Sequence, residues 1–130
     1  MSVLCVIDVQ PGFEEALLIR DAVYELSHTQ FDHVIFAQFK GCGETLLNIK
    51  HQTVWHTKKD RIQSIRSVIT DYHEITICGL YTDLFVKDIV RGLSRQLPVR
   101  VAQCACIGSN QKAHEDAIEQ MKKYKNVTVF

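Results

Sequence analysis

The sequence predicts an α/β protein with three layers, helix on sheet on helix, around a mostly parallel sheet of about six strands. Two patterns carry that reading. Apolar-rich runs of strand length alternate with segments of helical period along the whole chain, and the first run, VLCVID, is continuously apolar up to its final Asp8, as a strand covered on both faces requires. No repeat, low-complexity block or Pro/Gly/Ser linker divides the 130 residues, so 1–130 reads as a single domain.

VLCVID (3–8) is the first strand, an apolar run ending on a carboxylate. Ala16, Ile19, Val23 and Leu26 follow at helical spacing, with Glu14 and Glu15 where a helix dipole favours acids. HVIFAQF (33–39) and TVWHTK (53–58) are the second and third strands. Asp60 is placed to cap a helix carrying Ile62, Ile65, Ile69 and Tyr72. EITICGL (74–80) is the fourth strand, and Val86, Ile89, Val90, Leu93 and Leu97 mark a helix stopped by Pro98. VRVAQCACI (99–107), a helix through Ala113, Ala117, Met121 and Tyr124, and the strand NVTVF complete the alternation.

Fifteen basic and fifteen acidic residues leave no net charge, which argues against nucleic acid as a partner. No apolar run approaches the roughly 18 residues of a membrane span, and MSVLCVIDVQ lacks the marks of a secretion signal. Five cysteines without a C-x-x-C pair suit reduced thiols and a cytoplasmic setting; Cys5 and Cys78 lie inside strands, and Cys106 is read as past the end of one. His51 and His56 share neither a strand face nor a helix face, so no metal site is expected, and no cofactor motif is legible.

Parallel sheets bind ligands beyond the carboxyl ends of their strands. That rule selects Asp8 and Gln10, Lys58, Leu80 to Phe85, and Cys104 to Asn110 as the lining of a cleft for a small molecule. A carboxylate and a lysine beside a helix start are suited to activating a thiol: the cation lowers its pKa and the carboxylate takes its proton. Asp8 is also a residue that can bond backbone amides in a turn.

These elements resemble the isochorismatase-like cysteine hydrolases, which include nicotinamidases and related amidases. The family's D-x-Q-x-x-F element is matched by Asp8, Gln10 and Phe13, and its strand-end lysine by Lys58. Its G-[VL]-x-T-[DN]-x-C-V element is matched by Gly79, Leu80, Thr82, Asp83 and Val86. The resemblance runs over essentially the whole chain. It implies a Rossmann-like, isochorismatase-type fold, a catalytic set at Asp8, Lys58 and position 85, and substrate contacts from Gln10, Phe13, Leu80, Tyr81, Thr82 and Cys104. It further implies a non-proline cis bond between Leu80 and Tyr81, and a homo-oligomer.

The nucleophile position holds Phe85, and Cys104 stands where the family usually has an aspartate. The segment KGCGETLLNIKHQ is short for the family's substrate cover, and the grouping of aspartate and histidine metal ligands that nicotinamidases carry there is not present in it. A phenyl ring has no lone pair for a carbonyl, so the family's thioester chemistry cannot run through residue 85. Three readings follow. The chain is a homologue without hydrolase activity that binds a small molecule or a protein, a hydrolase using Cys104 or water activated by Asp8, or a structural subunit. The first is preferred.

Overall fold

The structure, a computed structural model, describes residues 2–29 and 31–130. The strands are β1 (Ser2–Ile7), β2 (His33–Phe39), β3 (Gln52–His56), β4 (Glu74–Leu80), β5 (Val99–Ile107) and β6 (Val127–Val129). They form one sheet in the order β3-β2-β1-β4-β5-β6, and every pairing is parallel rather than most of them. β1 and β4 are buried along nearly their whole length; β1 accordingly reads as an unbroken apolar run after Ser2, while β4 buries Thr76 among its apolar residues.

The helices are α1 (Ala16–Ser27), α2 (Arg61–Arg66), α3 (Lys87–Leu93) and α4 (Gln111–Met121). α1 packs on β4 and β5, while α2, α3 and α4 lie side by side as a second helical layer. Right-handed crossovers account for the division, because the chain moves outward from β1 to β2 in one direction and from β4 to β6 in the other. Ala16, Ile19 and Val23 bury the inner face of α1, whereas Leu17 and Leu18 are exposed.

Several helical expectations need correction: α3 ends at Leu93 and α4 at Met121, so Leu97 and Tyr124 lie beyond them. α2 ends at Arg66, so Ile69 and Tyr72 anchor turns after it. Asp60 does not cap α2; its Oδ1 accepts from the Thr57 amide at 2.6 Å and the Thr57 hydroxyl at 3.0 Å, closing the turn before the helix. The segment after β4 begins as a π turn, residues 82–86, in which the Val86 amide donates to the Tyr81 carbonyl at 3.1 Å. Cys106 lies within β5, not past it.

Two glycines set close approaches. Gly79 has φ 122°, and a Cβ there would overlap the Ile7 backbone, so β4 lies against β1 only because the side chain is absent. Gly92 admits the Ile62 side chain between α2 and α3, and its carbonyl accepts from Arg66 Nη2 at 2.9 Å.

Candidate functional site

β1 and β4 are neighbours from which the chain departs in opposite directions, so their carboxyl ends form the topological switch point of the sheet. β1 ends into Asp8, whose φ of 57° lies in the left-handed region that aspartate tolerates better than most residues. Its amide donates to the Ala37 carbonyl at 3.0 Å and its own carbonyl accepts from the Gln10 amide at 2.8 Å, so the turn is fixed by backbone bonds.

The carboxylate is fully buried, and its Oδ1 lies 2.9 Å from Nε2 of His56, also fully buried at the end of β3. Oδ2 of Asp8 and Nδ1 of His56 have no protein partner. Burial pushes the Asp8 carboxyl above the ordinary aspartate value; the hydrogen bond to His56 and the charges of His56 and Arg61 pull it back only in part. Asp8 therefore does not bond the amides of its turn; it faces an imidazole.

An aromatic layer adjoins this pair. Phe39 meets the His56 ring edge-on at 5.5 Å and stacks against Phe85 at 6.0 Å. Phe13 makes edge contacts with Phe39, Tyr81 and Phe85 at 6.4, 5.9 and 6.0 Å. The Arg61 guanidinium carbon stands 4.2 Å from the Phe85 ring centroid. Each aromatic pair contributes roughly 0.5–1.5 kcal/mol beyond its buried area, and the cation a comparable amount. Phe85 is thus a half-buried ring in contact with both Arg61 and the aromatic layer.

The structure brings together Asp8, Phe13, Tyr81 and Phe85 from the expected set. Gln10 is buried as a clamp: Nε2 donates to the carbonyls of Phe39 and Gly43 at 3.0 and 2.8 Å, and Oε1 accepts from the Phe39 amide at 2.8 Å. Leu80 is core, and its peptide bond to Tyr81 is cis. The Tyr81 hydroxyl donates to Glu15 at 2.6 Å, and burial together with that carboxylate raises its pKa. Thr82 is buried against His114, Oγ1 to Nδ1 at 2.7 Å. Asp83 accepts from the amide and hydroxyl of Ser109, both at 2.8 Å, tying the loop after β5 to the π turn.

Lys58 and Cys104 are not part of this cluster. Lys58 is exposed beyond β3 and lines a groove between α2 and α3, so the side chain on Asp8 is His56. The physical reason is register: His56, paired with Phe39, is the last residue of β3, and the chain has turned outward by Lys58. Cys104 is exposed on the α1 side of β5, lining a groove with Ala22, Leu26 and Phe130. Sequence reasoning missed His56, Arg61 and Phe39. Arg61 left a signal, since a cation in the first turn of a helix opposes the dipole and calls for another reason to be there.

No protein-family model matches the sequence, and no curated protein matches it significantly. Solved structures do match. The nicotinamidase of Staphylococcus aureus superposes with a TM-score of 0.78 at 18% identity, covering 98% of this chain and 96% of that one. The pyrazinamidase of Pyrococcus horikoshii in complex with zinc gives 0.79 at 13% identity, covering 99% and 98%. An isochorismatase-like hydrolase from Alkaliphilus metalliredigens gives 0.72 at 14%, covering 98% and 94%. The chain has the isochorismatase-like hydrolase fold over its full length. A zinc site does not fit the residues present: among the described residues no three His, Cys, Asp or Glu side chains converge, and the imidazole nearest Asp8 is bonded to it.

Proposed function

We propose that this protein is a non-hydrolytic homologue on the isochorismatase-like scaffold, acting by binding rather than by thiol catalysis. The observation that supports this most directly is Phe85, which contacts Arg61 and stacks on Phe39, the ring that meets His56 of the buried Asp8–His56 pair. An attacking sulfur would need that space, and the ring fills it with groups that cannot exchange a proton or an electron pair.

The thiols support the same reading. Burial pushes Cys106 up to about 12 and raises Cys5 and Cys78 as well, which keeps all three protonated at neutral pH. Cys104 faces the α1 side, and among the described residues His56 is the one hydrogen-bond partner of the Asp8 carboxylate. A hydrolase working through Asp8, Lys58 and Cys104 would have to draw these three together from separate faces of the molecule.

Ammonia release from nicotinamide and simple aliphatic amides tests the proposal. The expected result is no release above buffer by the wild-type chain. Turnover that disappears in Cys104→Ser or Asp8→Asn would overturn it.

A further inference from the structure

The groove between α2 and α3 has a volume of about 390 Å³ and is lined by five cations, Lys58, Lys59, Arg61, Arg91 and Arg95, against one acid, Asp88. In a chain of zero net charge this is a local concentration of one sign. Among the described residues, the side chains of Lys58, Lys59, Arg91 and Arg95 make no ion pair; the pairs present lie elsewhere, at Arg20, His56, Lys112 and Lys122. Arg61 is only 8% exposed, and its Nε and Nη2 have no hydrogen-bond partner. A buried guanidinium without acceptors is costly, and an anion seated in the groove would offset its charge.

The geometry points to a binding site for a small molecule carrying di- or triphosphate, with Arg61 as the innermost donor. Five cations exceed what one carboxylate neutralises, whereas neighbouring phosphoryl groups present several acceptor oxygens that suit the planar arginine fork. The walls are fixed: Ile62 packs into the space at Gly92, and Arg66 bonds the Gly92 carbonyl. The Phe85 ring contacts the Arg61 guanidinium, which gives the ring at the family's nucleophile position a positive use. A second groove of about 580 Å³ shares Arg91 and Arg95 and adds Lys125 and Tyr124. Its single aromatic ring offers a seat for one base and none for the successive bases of a strand. The groove meets the Asp8 cluster at Arg61 and Phe85, but the inference does not depend on whether that cluster hydrolyses amides.

Titration of the full ¹⁵N-labelled chain with inorganic pyrophosphate and, separately, with ADP tests this by amide chemical shifts. Saturable shifts confined to residues 58–63 and 88–95 are expected with both; added shifts at Tyr124 with ADP alone would identify the nucleotide as the source of the phosphates. Arg91→Gln/Arg95→Gln, both exposed positions, should raise Kd by at least about tenfold, the worth of one charge-assisted hydrogen bond. Arg61→Lys, which keeps the charge and loses the fork, should weaken binding in an unchanged fold. Absence of saturation, equal affinity for citrate, or undiminished binding by the double variant would overturn the proposal. Tighter binding of a single-stranded oligonucleotide, with shifts spread beyond the two grooves, would overturn the small-molecule assignment.

Discussion

Asp8 and His56 form a contact with an internal tension that single substitutions can read. The carboxyl is deprived of water and holds one hydrogen bond, with Oδ2 left unpaired. Because its pKa is raised in the folded chain, the native state retains the proton at pH values where the unfolded chain has released it. The stability this residue contributes is therefore present in full below the ordinary aspartate value of 3.8 and is lost as pH rises through the folded value. Asp8→Asn removes the titration and keeps a polar group facing His56. Urea melts of both proteins should show the variant gaining on the wild type as pH rises from near 4 toward neutral; a difference independent of pH would contradict the assignment. The sequence made Asp8 and Phe85 legible, since one closes an apolar run and the other follows a glycine turn. It did not reveal His56, because strand register, which decides whether residue 56 or 58 reaches Asp8, comes from pairing with a segment 17 residues away in sequence (Phe39 with His56).

Among the elements, the seam between β1 and β4 is the most constrained. Gly79 brings the two backbones together directly before Asp8, and the Ile7 carbonyl and amide occupy the volume of any side chain at 79. Gly79→Ala combines overpacking against backbone with a positive φ, and is expected to cost about 3 kcal/mol or more, read as the shift in a urea or thermal midpoint. A loss below about 1 kcal/mol would mean that the seam yields easily. The strands were legible almost residue for residue, as with HVIFAQF, because double burial leaves long apolar runs. The helices were less so. Ile69 and Tyr72 continue the apolar period past the end of α2, since turns that return to the core bury residues at similar intervals. The π turn after β4 had no sequence mark, because it depends on how Asp83 and Thr82 bind Ser109 and His114 on the neighbouring loop and helix.

Across the whole molecule, the sheet divides the thiols into two populations. Cys5, Cys78 and Cys106 are enclosed between the layers, Cys42 is half-buried in the loop after β2, and Cys104 is exposed. Native-state alkylation followed by mass spectrometry should modify Cys104 first and Cys42 next, leaving the other three intact until denaturant is added. Early modification of Cys78 or Cys106 would show that the layers separate locally. The fold class was readable at this scale because alternating element types admit few topologies.

The central place of β1 has a consequence for assembly. Among the described residues it precedes every other element, yet it is the only strand that joins a wing of two strands to a wing of three. The two wings become one sheet only by gripping this segment from its two sides, and cutting it away would leave two half-sheets, each with a bare edge of unpaired backbone N–H and C=O groups, in place of a weakened whole.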